Sequence, residues 1–297
     1  MRIATRDSAL AVRQSEMVTE KLKALGVNAG LVFIKSKGDL SQKKSFQSIA
    51  SVGIFTKAID DAVLDGKADV GVHSLKDLPT VIHPSLLLAA VLKRNDPHDV
   101  IVFKAKDFLK DKKYNATIAT GSARRKAQWL NKFPHHTIVP VRGNVDSRIK
   151  KLKKNNWDGI ILAAAGLKRL KLKVKSKKLD WMIPAPGQGA IAVVARKSDK
   201  EIIEILLRIN HRETHSAVEA ERKFLNEIGA GCSTPVGALA VVKGKKIYLK
   251  AEVLSVNGKQ KIGIGLSDKL EKSMNIGIKA ARIAKDKGVQ KLLESLT

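Results

Sequence analysis

The sequence predicts an α/β protein with a small α+β piece at its carboxyl end. Up to about residue 200, short apolar runs alternate with helix-periodic segments through brief connections. Several of those runs end in clusters of small and basic residues. Beyond residue 200 the texture changes: two helical stretches lead into alternating runs on either side of Asn257-Gly258. A chain of 297 residues has room for two or three domains, and 44% hydrophobic residues suffice for several cores. With aromatics at only 4%, Leu, Ile, Val and Ala must fill them.

In residues 9–25, Leu10, Val18, Leu22 and Leu25 share one helical face, and Gly26 follows as a stop. Residues 31–34 read as a strand. Phe55, Ile59 and Val63 recur every four residues in a second helix, closed by Gly66. Residues 68–72 form an apolar strand running into HSLKD, and this strand–helix–strand succession predicts a parallel sheet. Strands then follow at 117–119, entering TGSARR and a helix to about Lys132; at 137–141, entering RGNVDSR and a helix to Lys154; and at 159–165, ending in AGLKRL. PAPGQGAIAVVA, residues 184–195, is a turn feeding an apolar strand and suits an inter-domain crossover. Helices at 201–209 and 214–228, a hairpin of 247–254 with 261–266 across a two-residue turn, and a helix at 271–287 complete the reading. A domain boundary is placed near 211–214.

One cysteine, Cys232, excludes an intramolecular disulfide framework and fits a reducing compartment. The opening MRIATRDSAL shows no apolar signal core. Stretches such as 159–167 fall far short of the ~20 residues of a membrane span. The expectation is a soluble, cytoplasmic protein. Lys plus Arg number 56 against 28 Asp plus Glu, a net charge of +28. Such an excess suggests a polyanionic partner: nucleic acid, a lipid surface, or a ligand rich in carboxylates or phosphates. The lysines of KKLKK and KLKVKSKK read as solvated faces. The arginines are different, because a guanidinium fork pairs a carboxylate bidentately.

In open α/β sheets, ligands collect at the carboxyl ends of strands, beside helix N-termini. Lys76 and Asp77 stand at one such end. Asp77 there suits a general acid or base, or a group that stabilises a developing cation; a local ion pair in a surface turn is the alternative. Thr120, Ser122, Arg124 and Arg125 suit an anion, with Ser122 alternatively a helix cap. Cations at a helix N-terminus oppose its dipole, which an anion would offset. Arg142, Arg148, Lys168 and Arg169 extend the pattern. Cys232, in the loop GAGCSTP, is open to four roles: nucleophile, covalent attachment point, redox site or buried small hydrophobe. The seven histidines show no metal spacing, and His73 reads as packed at its strand end.

Taken in order, RIATRDSALA, GIFTKAID, VHSLKDLP, TGSARR, RGNVDSR, AAAGLKRL, PAPGQGA and GCSTPVG resemble the porphobilinogen deaminase (hydroxymethylbilane synthase) family. The likeness runs from Arg2 to about Gly237. It implies two α/β domains similar to type II periplasmic binding proteins, residues 1–93 with 188–208 and residues 97–187. A third, α+β domain at 212–297 would carry the cysteine loop. It implies head-to-tail condensation of four porphobilinogen molecules to hydroxymethylbilane, with release of four ammonia, by a monomer needing neither nucleic acid nor membrane. A dipyrromethane cofactor, joined to Cys232 by a thioether, is part of that implication. Asp77 matches the family's catalytic aspartate. Lys76, Thr120, Ser122, Arg124 and Arg125 match cofactor-binding positions, and Arg6, Ser8, Arg142, Arg148 and Arg169 match substrate-binding ones. Lys57 keeps its match, but SIASVGIF places Ser48 and Val52 where the bacterial pattern has lysines. Residues 36–51 are expected to be a lid, and the run 168–178 is unusually basic. Two other classes compete: a two-lobed anion-binding protein, for which no export signal is seen, and a nonspecific nucleic-acid binder, for which interleaved aromatics are missing.

Overall fold

The computed structural model describes residues 1–35, 54–105, 107–111, 113–231 and 234–294. The expected lid with Ser48 and Val52, and the expected attachment residue Cys232, lie outside them.

The chain begins with β1 (Arg2–Thr5), α1 (Ala9–Lys23), β2 (Gly30–Phe33), α2 (Ile54–Leu64), β3 (Val70–Ser74) and β4 (Leu86–Val91). It crosses to a second sheet made of β5 (Asp99–Phe103), β6 (Thr117–Ala119), β7 (Thr137–Val139), β8 (Gly159–Ala163) and β9 (Ser176–Lys178). Helices α3 (Ala123–Lys132), α4 (Val145–Lys154) and α5 (Ala164–Arg169) follow β6, β7 and β8 in turn. The chain then returns as β10 (Ile191–Arg196), which inserts between β3 and β4 to give the order β2-β1-β3-β10-β4. The second sheet has the order β7-β6-β8-β5-β9.

Both sheets are mixed rather than parallel, which corrects the sequence expectation. β10 runs antiparallel to β3 and β4, and β5 runs antiparallel to β8 and β9. The reason is the crossover. A strand entering a sheet at the edge where its neighbours end must run against them. Asp99, first in β5, therefore sits opposite Ala163, last in β8, and Ile191 opposite Ser74. Both crossings are thus delivered to the edge at which the basic clusters lie.

Side chains alternate across each sheet, as a strand's period of two requires, except where the β10–β4 register shifts between Val193 and Val194. Ile3, Val70, Val72, Ile191 and Val193 pack with Val18 and Leu22 of α1 and with Leu206 of α6 (Lys200–Ile209). Ala4, Ala192 and Val194 face the other way, onto Ile59 and Val63 of α2. In the second sheet, Ile101, Ile118 and Ile161 meet the fully buried Trp129, while Val100, Val102 and Ile160 meet Leu152.

Beyond α6 come α7 (Arg212–Glu227), an antiparallel sheet of β11 (Val236–Lys243), β12 (Lys246–Leu254) and β13 (Lys261–Lys269), then α8 (Ser273–Asp286) and α9 (Val289–Glu294). One core joins α7 and α8 to the sheet through Phe224, Leu249 and Ile276. The β12–β13 turn is longer than the two residues expected. Ser255 N–H donates to Gln260 O at 3.0 Å, and Gly258 N–H donates to Ser255 O at 2.9 Å. Gly258 has φ +73°, and a Cβ there would strike the backbone of Ala127 and Asn131. The glycine lets this loop dock on α3, where Asn131 Nδ2 donates to its carbonyl at 2.7 Å. The lysines of α4 and of 168–178 are exposed, as predicted. No described helix is long and apolar enough to cross a membrane.

Candidate active site

β3 ends at Ser74 and passes into a 3-10 turn, Leu75–Asp77. Several contacts fix that turn. Gln14 of α1 donates to Ser74 Oγ at 2.8 Å, and Leu75 N–H donates to Ala190 O at 3.1 Å. Gly187, at φ +73°, backs directly onto the Leu75 side chain, leaving no space for a Cβ. Arg222 of α7 donates to the carbonyls of Leu78 and Pro79 at 2.9 and 2.6 Å. Leu75 is buried while Asp77 remains exposed, so the turn presents its carboxylate from a rigid base.

Across from it stands Asp99, which is fully buried. Its Oδ2 accepts from Arg124 Nη1 at 2.7 Å; its Oδ1 accepts from Arg125 Nη2 at 2.7 Å and from Gln188 Nε2 at 2.9 Å. Burial alone would raise the Asp99 pKa, but the two guanidinium groups hold it well below the usual carboxylate range. The anion expected at the N-terminus of α3 is therefore supplied, in part, by the protein itself. Arg124 Nε, also buried, has no hydrogen-bond partner among the described residues. Ser122 is the α3 cap, accepting from Arg125 N–H at 3.4 Å, and Thr120 Oγ1 accepts from Ser122 N–H at 3.2 Å.

The two edges act on one another electrostatically. Burial lowers the Lys76 pKa; Asp77 and Asp99 oppose that, and Arg125 and Arg124 reinforce it. Burial likewise lowers the Arg148 pKa, helped by Arg125 and opposed by Asp77. Lys76 and Asp77 from the first sheet thus share a cluster with Arg124, Arg125 and Arg148 from the second. Arg148 is held by its Nε on Gly143 O at 2.7 Å. Arg142 is exposed in the same loop. Arg169 is turned onto the crossovers instead, donating to Asn95 Oδ1 at 3.0 Å and Gly189 O at 2.6 Å; burial brings its pKa down to about 10. Arg6 lies just past the end of β1, and Ser8 is the N-cap of α1, with no side-chain capping bond. His73 is buried with Nε2 2.9 Å from Asp60, at its strand end as expected. No group of metal-ligating residues occurs among the described residues.

Four residues of this region escaped sequence reasoning: Arg94, Asp99, Gln188 and Glu221. Glu221, fully buried in α7, accepts from Arg94 Nη1 at 2.5 Å, Gly187 N–H at 2.6 Å and Ala240 N–H at 2.7 Å. It ties a crossover, the returning loop and the third sheet together. A glutamate at a core position of the stripe Val218–Phe224–Ile228, and an aspartate opening the apolar run DVIVF, were the signals available.

Around Asp77, the partly or fully buried cations Lys76, Arg124, Arg125 and Arg148 outnumber the carboxylates. That excess, with the unpaired Arg124 Nε, fits a bound polycarboxylate. Fold and site together define a protein of two mixed α/β sheets and a smaller antiparallel α+β unit, with a cation-rich cluster at the edge where its two crossovers arrive.

The sequence comparisons make this specific. Residues 1–204 match the family model "Porphobilinogen deaminase, dipyromethane cofactor binding domain", and residues 215–286 match "Porphobilinogen deaminase, C-terminal domain". A porphobilinogen deaminase of Syntrophomonas wolfei is 40% identical over 273 residues, covering 90% of this chain and 89% of its own. One from Carboxydothermus hydrogenoformans is 39% identical over 300 residues, covering 99% and 96%. Among solved structures, the VFT2 domain of Bordetella pertussis BvgS aligns with 70% of this chain and 85% of its own, at 14% identity and a TM-score of 0.42. The chain belongs to the porphobilinogen deaminase family, transferases of tetrapyrrole biosynthesis also called hydroxymethylbilane synthases.

Proposed function

We propose that Asp77 is the acid–base group for the head-to-tail condensation of porphobilinogen, and that the surrounding cations bind the acetate and propionate groups of the pyrroles. The observation that carries this reading is the placement of Asp77. It is the one exposed carboxylate in a cluster where Arg124 and Arg125 are already oriented by a buried partner. A dipyrromethane cofactor, when bound, would supply the free ring carbon to which the first substrate ring is joined. Lys76, Arg124, Arg125, Thr120 and Ser122 would hold its carboxylates, and Cys232 would anchor it. Arg6, Ser8, Arg142, Arg148 and Arg169 would receive substrate carboxylates, Arg169 from its station on the crossovers.

Asp77 assists loss of the protonated aminomethyl group as ammonia, lies beside the positive charge left on the substrate ring, and takes up the proton released after coupling. One carboxylate serves all three tasks because each places a proton or cation at the same edge of the ring. Burial of Lys76 and Arg148 strengthens their attraction for carboxylates by excluding water. The first sheet with its returning strand supports a division into residues 1–93 with 188–208, 97–187 and 212–297. A cytoplasmic monomer is the form this reading assigns.

The test is Asp77→Asn, assayed for ammonia release in a single turnover. Loss of roughly 10²–10⁴-fold in rate with an unchanged circular dichroism spectrum is expected. A rate within a factor of three of the unsubstituted enzyme would remove Asp77 from that role.

A further inference from the structure

A cavity of about 290 Å³ lies on the side of α3 that faces the third sheet, lined by Gln128, Asn131, Lys132, Trp181, Glu252 and Lys261. None of these residues belongs to the machinery described above. Its walls come from three elements: one face of α3, the segment after β9, and the β12–β13 hairpin. The Gly258 loop fixes the hairpin against the helix.

The lining has polar capacity that the protein leaves unused. Gln128 is 3% exposed; its Nε2 donates to Ile183 O at 2.9 Å, but its Oε1 is buried with no partner among the described residues. Glu252 is 8% exposed, and its carboxylate accepts no hydrogen bond from any described residue. Burial raises its pKa, with Lys261 and Arg124 opposing. The Gln128 oxygen is closed to solvent, whereas the Glu252 carboxylate is not, so Glu252 is the acceptor that the cavity presents. At the mouth, the exposed Lys132 places Nζ 5.0 Å from the Trp181 ring centroid, and Lys261 adds a second ammonium. The site therefore offers an acceptor inside, donors outside and an aromatic wall between.

We infer that this cavity is a second small-molecule site, for a compact amino-carboxylate whose ammonium reaches Glu252 and whose carboxylate meets Lys132 and Lys261. An ammonium supplies the donor that Glu252 lacks, and an aliphatic chain packs on Trp181. A simple dicarboxylate would leave Glu252 facing like charge, and a simple amine would leave both lysines unmet.

The experiment is isothermal titration calorimetry of the purified protein with ω-amino carboxylates of two to six carbons, beside pentanoate and pentylamine as single-charge controls. At least one amino-carboxylate binds, and both controls bind at least tenfold more weakly. Glu252→Gln and Lys261→Met each weaken it about tenfold, while turnover of porphobilinogen stays within a factor of two. Arg148→Leu leaves its affinity unchanged, which separates this site from the catalytic cleft. Absence of binding at 10 mM, equal binding of pentanoate, or loss of affinity in Arg148→Leu with retention in Glu252→Gln would each overturn the assignment.

Discussion

Asp99 gives the sharpest quantitative test of how the site is built. Asp99→Asn keeps the shape but removes the only carboxylate that, among the described residues, Arg124 and Arg125 contact directly; the two arginines are 4% and 5% exposed. Removing one partner from a buried ion pair costs about 3–5 kcal/mol, because it strands the other charge. The asparagine oxygen still accepts one hydrogen bond, worth about 1 kcal/mol, so a net loss of about 2–4 kcal/mol is expected. Urea unfolding at pH 7, with matched m-values, measures it. The pH dependence has a definite sign. The native pKa of Asp99 lies below its unfolded value of about 3.9, so its contribution is complete above that value and is lost as pH falls toward the native one. The gap between the two proteins is therefore constant above about pH 5 and narrows below about pH 4. A gap under about 1 kcal/mol at pH 7, or one that widens on acidification, would refute a charge-based role for this pair.

Other substitutions probe separate parts. Arg148→Leu should stall chain elongation at intermediates visible by mass spectrometry, and normal product formation would take Arg148 out of the binding set. Arg169→Lys cannot span Asn95 Oδ1 and Gly189 O with one fork; it should slow turnover and soften the crossovers, seen as faster amide exchange at residues 94–98. Gly258→Ala must relieve both a positive φ and a backbone collision, and should cost about 1–3 kcal/mol in urea unfolding. Nonspecific DNA binding, driven by the +28 charge, should fall steeply between 50 and 200 mM salt; binding that resisted salt would revive the nucleic-acid reading.

The alternation of helix-periodic and apolar runs was enough to place α3 and β6 at the residues where they occur, because there one face is buried and the pattern is local. What the sequence concealed was direction. β5 and β10 carry the same apolar texture as a parallel strand, and only the crossover geometry reverses them. The basic residues were legible as standing at strand ends, but their counter-charge was not. Asp99 lies 25 positions from Arg124, and nothing local signals the pairing. The same non-locality hides Glu221, which meets Arg94 across 127 positions. Ser122 shows the opposite case, a cap readable from neighbouring residues alone.

The most direct test of the whole account is the intact mass of the purified protein and of Cys232→Ser. The account predicts that the unsubstituted chain carries the added mass of two condensed pyrrole units, reacts with Ehrlich's reagent, and loses both properties on substitution. An unsubstituted protein at the bare polypeptide mass, still unmodified after incubation with porphobilinogen, would contradict it.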